Sequence, residues 1–367
     1  MPPKPKSIAA RLTLSFAALG LTLLLLEVAF RVSGIRADYP QPRVDTAIPS
    51  RERSAPRDRF GFVPFATIRS RYADDPRGYF DPGAVIDHVH NSVGWRDEEH
   101  SIDKPPRTYR ILGLGDSYLW GQGVRREDIC LKRLGRLLAD NPAGLAIETI
   151  NTGQSAMNTA NQRDLLVQRG LAYDPDLVIV HFVPNDVEAD LRRAGPKIEF
   201  FTEYTAIYQT PWRYAGYSRV LDWVRQRYLQ HVRGRDFIRR SLATFDEDSP
   251  GWLEVRAALA DIRRICTSRE IGLLVVLFPF FHELNGDYPF RPIHDALLAY
   301  GRSLGVPVLD LRERYGGYRG PELWVHPTDQ HPNEIAHEIA ARTTADYLMA
   351  NPELFSPALD TVPIDDG

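Results

Sequence analysis

Five short apolar runs, each followed closely by glycine, proline or aspartate, alternate along the chain with amphipathic stretches. The runs lie at 109–115, 146–151, 176–183, 272–278 and 306–310. Helical patterns at 129–138, 161–169, 252–266 and 292–304 separate them. In the third of these, Trp252, Val255, Leu259, Ile262 and Cys266 recur with a period near 3.6. Near-continuous apolar strands alternating with helices predict a parallel sheet covered on both faces, because only a strand buried on both sides lacks polar alternation. The expected fold is a doubly wound α/β domain over 85–350, without internal repeats, followed by a tail at 351–367.

The N-terminal pattern is different. Lys4, Lys6 and Arg11 precede an apolar run at 12–26, which Glu27 interrupts and which resumes at 28–30 before Arg31. At ~1.5 Å per residue, a helix over 12–30 nearly crosses a ~30 Å hydrocarbon core. The expectation is a transmembrane signal anchor at 12–32, with 1–11 cytoplasmic and the body exported, since positive charge precedes the span. Arg31 and Arg36, beyond the span, weigh against that orientation. A cleaved leader needs a shorter core and a small-residue site, which Glu27-Val28-Ala29-Phe30-Arg31 does not offer. A buried core helix is the third reading. Residues 33–84 are expected to be a Pro/Arg-rich stalk and lead-in, with Pro40, Pro42, Pro49, Pro56, Arg43, Arg51 and Arg53 in its first half. A poorly ordered arm fits that composition as well.

Composition narrows the function classes. A chain of 367 residues, 43% hydrophobic and 25% charged, is neither disordered nor collagen-like. A net charge of −3 and a pI near 6.4 supply no overall field for nucleic acid, so none is expected as a partner. Cys130 and Cys266 are too few for a disulfide scaffold or a cysteine zinc site; one bridge or two buried thiols fit the count.

In a sheet of this class, ligands sit beyond the carboxyl ends of the strands. The loops there hold Gly115-Asp116-Ser117, Asn151-Thr152-Gly153, Pro184-Asn185-Asp186 and the stretch ending in His331. Each member has an ordinary reading: a capping serine, a turn glycine, a turn asparagine and a structural histidine. Together they supply a nucleophile (Ser117), its base (His331) and three oxyanion donors, the N–H groups of Ser117 and Gly153 and the amide of Asn185. His326, Asp329, His331 and His337 also form a local cluster, but the two nearest histidines are five apart in a loop without a further ligand set, and no metal is expected. An insertion at 187–250 carries Phe200, Phe201, Tyr204, Tyr208, Trp212, Tyr214 and Tyr217, followed by Arg225, Arg227, Arg233, Arg235, Arg239 and Arg240. Tyr217, Val220, Leu221, Val224 and Tyr228 share one helical face, which predicts that much of this content packs. The alternative is a lid that binds sugars or anionic headgroups.

These blocks resemble the SGNH/GDSL hydrolases. Gly115-Asp116-Ser117 with Gly121 and Gly123 is similar to their first block, Asn151-Thr152-Gly153 to the second, Pro184-Asn185-Asp186 to the third and His331-Pro332-Asn333 to the last. The third block often has glycine where Val183 or Pro184 stands here. The order and spacing match over about 110–345. The stretch from His90 and Asn91 through Gly94, Arg96 and Asp97, with Arg110, resembles membrane-anchored bacterial members. The resemblance implies a flavodoxin-like three-layer α/β/α fold on a five-stranded parallel sheet, and a serine esterase or O-acyl-transfer enzyme without a cofactor. Its substrate would be an ester, with an acylated envelope polysaccharide or lipid as the class. The family usually sets its aspartate three residues before the histidine, where Thr328 stands; the carboxylate here is Asp329, two before. Either Asp329 or a backbone carbonyl is left to orient His331. The rival from another class is a membrane-anchored glycan-binding or assembly protein on the same fold.

Overall fold

The computed structural model describes residues 8–34, 42–49, 60, 62–141, 144–187 and 217–354. The chain divides into two compact units, Met1–Pro40 with Ile198–Phe237, and Gln41–Lys197 with Ile238–Gly367.

Helix α1 (Ile8–Val32) has 25 residues, about 37 Å at ~1.5 Å per residue. Its stretch Ala10–Val32 is long and apolar enough to cross a membrane. Leu14, Phe16 and Leu24 on it are exposed, so the helix is not a buried core element. Residues 1–7, 35–41, 50–59 and 61 lie outside the described ones, and with them much of the expected stalk. The described part of the lead-in is built. Strands β1 (Arg43–Ala47), β2 (Thr67–Arg71) and β3 (Val85–Val89) form an antiparallel sheet in that order. Val85 pairs with Arg71, so the domain start expected at 85 falls inside a hairpin. Of the five residues in β2 only Ser70 is buried, so no apolar run announces the strand.

These strands belong to the second unit, which then follows the alternation. Strand β4 (Thr108–Gly115) leads through α2 (Ser117–Trp120) and α3 (Cys130–Leu137) to β5 (Ala146–Asn151), and through α4 (Thr159–Gln168) to β6 (Leu177–Phe182). After α5 (Arg219–Ala243), which lies in the first unit as far as Phe237, come α6 (Pro250–Thr267), β7 (Gly272–Leu277), α7 (Arg291–Leu304) and β8 (Val308–Asp310). The five strands are parallel in the order β5-β4-β6-β7-β8, the flavodoxin-like arrangement. All of β6 and nearly all of β4 are buried, while the edge strands β5 and β8 are only partly so. The chain closes with α8 (Gly320–Leu323), the short antiparallel pair β9 (Trp324–His326) and β10 (Asp329–Pro332), and α9 (Glu334–Ala350). Helices α3 and α9 pack together as one layer; α4, α6 and α7 make the other. Cys130 and Cys266 are separate buried thiols.

The insertion departs from expectation. Residues 188–216, with Phe200, Phe201, Tyr204, Tyr208, Trp212 and Tyr214, lie outside the described ones. Of the apolar face expected to pack, Tyr217, Leu221, Val224 and Tyr228 are exposed and Val220 is half-buried. The contact is made from a neighbouring face, where Trp223 meets Phe30 of α1 edge-on with ring centroids 5.9 Å apart.

Candidate active site

Strand β4 sits between β5 and β6, so the chain leaves it to opposite sides and opens a crevice at that switch point. Ser117 stands at the carboxyl end of β4, Gly153 in the loop after β5, and Asn185 in the short turn Pro184–Val187 after β6. Ser117 begins the one-turn helix α2, capped by Asp116, whose side chain accepts from the Tyr118 N–H at 2.8 Å. Gly153 lies against α2 so closely that a Cβ there would fall 2.5 Å from the Trp120 nitrogen. A side chain at 153 would displace the turn that carries Ser117.

His331 comes from the opposite end of the chain. It lies on β10, within the register shift that separates the Asp329–His326 and Pro332–Trp324 pairs. Such an irregularity re-aims side chains, and here Asp329 and His331 meet although only two residues apart. His331 Nδ1 is 2.5 Å from Asp329 Oδ1, and its Nε2 is 2.9 Å from Ser117 Oγ. Thr328, at the position the family usually gives to aspartate, instead meets His326 Nδ1 at 2.7 Å. The second Asp329 oxygen accepts from the Tyr72 hydroxyl at 2.7 Å.

The electrostatics fix the tautomer. Burial pushes the Asp329 carboxyl upward, but the His331 charge and the hydrogen bonds from His331 and Tyr72 outweigh it and hold it below its ordinary value. Burial likewise lowers His331, yet the charge and hydrogen bond of Asp329 raise it overall. An ionised carboxylate only accepts, so Nδ1 carries the proton and Nε2 is left to accept from Ser117.

The expected oxyanion donors surround the same turn. Asn185 Nδ2 donates to Asp116 Oδ2 at 3.3 Å, and the Ser117 hydroxyl is 3.4 Å from that oxygen. Asp116 is buried, which raises its carboxyl above the ordinary value. The Gly153 N–H donates to Asn151 Oδ1 at 2.9 Å. The other histidines of the local cluster are occupied elsewhere. His326 Nε2 meets Asp74 at 2.9 Å, and His337 Nδ1 accepts from the Cys130 N–H at 3.1 Å, which starts α3.

Sequence reasoning missed the contribution of the lead-in. Tyr72 follows β2 and stacks on Phe80, with ring centroids 4.5 Å apart. Arg77 donates to the carbonyls of Trp324 and Val325 and pairs with Glu334, tying β9 and the start of α9 in place. Arg96, fully buried, donates to the carbonyls of Trp120, Gly121 and Val124, and burial lowers its guanidinium to about 9. His88 accepts from the Gly123 N–H at 3.0 Å and stacks on Trp120. Only the stretch around Arg96 carried a signal in the sequence, through the resemblance; Tyr72 carried none.

The GDSL-like Lipase/Acylhydrolase family model matches residues 114–339, which contain Ser117, Gly153, Asn185, Asp329 and His331. The chain belongs to that family. As a GDSL-like acylhydrolase it is an ester-hydrolysing enzyme, and the Ser117–His331–Asp329 contacts lie within the family's span. No match is found among curated protein sequences. Among solved structures, the acylhydrolase is similar to TesA at 16% identity and a TM-score of 0.42, covering 67% of this chain and 99% of that one. It is similar to a lipase/acylhydrolase from Enterococcus faecalis at 15% identity and a TM-score of 0.40, covering 66% and 96%. It is also similar to an acetyl-xylooligosaccharide esterase from Geobacillus at 15% identity and a TM-score of 0.41, covering 66% and 93%.

Proposed function

We propose that this acylhydrolase is a membrane-anchored serine esterase that removes or transfers an O-acyl group on an envelope carbohydrate or lipid. The observation that carries the mechanism is the unbroken chain of contacts from Ser117 Oγ to His331 Nε2 at 2.9 Å and from His331 Nδ1 to Asp329 at 2.5 Å. Ser117 Oγ attacks the ester carbonyl while His331 Nε2 takes its proton, and Asp329 stabilises the resulting imidazolium. The Ser117 N–H, the Gly153 N–H and the Asn185 amide hold the tetrahedral oxyanion. Asn151 engages the Gly153 N–H at 2.9 Å, so that donor serves through a shared bond or after a small rotation. His331 then passes its proton to the departing alkoxide, leaving an acyl group on Ser117. Water completes hydrolysis; a sugar hydroxyl in its place completes transfer.

The anchor and the envelope substrate rest on α1, whose apolar side chains have no place in a core. Ser117→Ala in the full chain tests the chemistry. Hydrolysis of short-chain aryl esters and covalent labelling by a fluorophosphonate should both disappear, with thermal unfolding nearly unchanged. Turnover that survives in this variant would sink the mechanism.

A further inference from the structure

In the unit that contains α1, Glu27 is the one carboxylate of the apolar stretch, and it is fully engaged. It accepts from the Ser218 hydroxyl at 2.8 Å, from the Arg219 and Val220 N–H groups at 3.0 and 3.2 Å, and from Arg31 Nε at 2.7 Å. Those N–H groups open α5, so a residue near the outer end of α1 caps the N-terminus of a second 25-residue helix and meets its positive dipole end. Arg31 reaches the Tyr217 carbonyl at 3.2 Å, and Phe30 meets Trp223 edge-on, which extends the contact along α5. The first turns of α5 therefore start beside the last two turns of α1.

Away from Trp223, α5 carries an apolar stripe. Leu221, Val224, Tyr228 and Val232 follow one another at three- and four-residue steps and are 56%, 51%, 66% and 44% exposed. Seven arginines and two aspartates occupy the same helix. Arg225 borders the stripe, and Arg235 and Arg239 continue it toward the C-terminus. An exposed apolar stripe bordered by arginines is the pattern of a helix lying in a membrane interface, where the stripe enters the acyl boundary and the guanidinium groups meet lipid phosphates.

We propose that α5 is an interfacial helix that binds the anionic surface of the bilayer crossed by α1, with Leu221, Val224, Tyr228 and Val232 as its embedded face. This rests on the anchor reading of α1. Glu27 sets the depth, because a residue at the end of the span holds the start of α5. The contact also accounts for a carboxylate persisting in an otherwise apolar run.

The test uses the full chain in vesicles of phosphatidylcholine with one-third phosphatidylglycerol. Leu221→Cys and, as a control, Glu313→Cys are each labelled with an environment-sensitive fluorophore; the native thiols are buried and stay unlabelled in the folded protein. Lipids bearing a nitroxide near the headgroup should quench the label at 221 at least twofold more than the label at 313. The difference should shrink when phosphatidylglycerol is replaced by neutral lipid. Equal quenching at both positions, in a chain that resists carbonate extraction, overturns the proposal and leaves the anchor standing. So does a disulfide between two Leu221→Cys chains left unlabelled, with no quenching of the labelled ones, which assigns the stripe to a second copy. A chain that carbonate extracts from the vesicles overturns the anchor and this proposal together.

Discussion

Asp329 and His331 are two apart on a strand, and that offset decides what each atom can do. The carboxylate reaches the imidazole across two residues of an irregular strand, whose pairing with β9 shifts register between Asp329 and Pro332. In a helix, neighbours on one face would be three or four apart. Asp329→Asn keeps the shape and removes the charge that stabilises the imidazolium, so kcat should fall by up to ~10⁴ with KM little changed. The pH profile adds a second reading. His331 must be neutral to accept the serine proton, and Asp329 raises its pKa above 6.5, so kcat/KM should rise with pH through a midpoint above that value. In Asp329→Asn the midpoint should move to lower pH, because the anion that favours the charged ring is gone. An unmoved midpoint would show that another group controls the limb. The stability linked to protonated His331 is complete below its unfolded value and is lost as pH rises through the raised folded one. Tyr72→Phe deletes one hydrogen bond to the same carboxylate; a fall in kcat of about tenfold, with KM unchanged, is expected of a positioning residue. Ser117 and His331 were legible because each sits in a block with a recognisable neighbour, whereas Asp329, one place from the usual position, left a backbone carbonyl as a rival reading. Tyr72 was not legible, because a lone tyrosine 257 residues from its partner leaves no pattern.

At the scale of elements, legibility followed burial. The strands β4, β6 and β7 read as continuous apolar runs because both of their faces are covered. Strands β1, β2 and β10 have polar or charged residues at most positions, and β9 is only three residues long; all four escaped notice, although β10 carries His331. Helix α5 was legible as a helix, but periodicity marks an apolar face without saying what covers it. The turn α2 is where elements meet: β4 leads into it, the loop after β5 presses on it, and Arg96 and His88 hold the segment that leaves it. Gly153→Ala should push α2 away from its place, because the added Cβ meets backbone at 2.5 Å rather than a mobile side chain. Loss of about 1–3 kcal/mol in unfolding free energy, together with a fall in kcat, is the expected pair of outcomes. Asn185→Ala separates the two effects: kcat should drop by on the order of 10²–10³ while the unfolding temperature holds. A change confined to KM would assign Asn185 to ground-state binding instead.

For the whole molecule, if α1 is the anchor proposed above, the charges that flank it set the side of the membrane on which the esterase works. Lys4, Lys6 and Arg11 precede the apolar stretch and Arg31 and Arg36 follow it, so the charge difference is small and the basic N-terminal side carries the vote. Protease added to right-side-out vesicles carrying the full chain should therefore degrade the body and spare only a fragment of α1, and inverted vesicles should protect the body. The reverse pattern would place the esterase in the cytoplasm and remove envelope glycans from its substrates. Recovery of a soluble product that starts after about residue 36 would instead mean that α1 is a leader removed on export. In that case the cap at Glu27 would be absent from the mature enzyme, and α5 would have to hold its first turn without it.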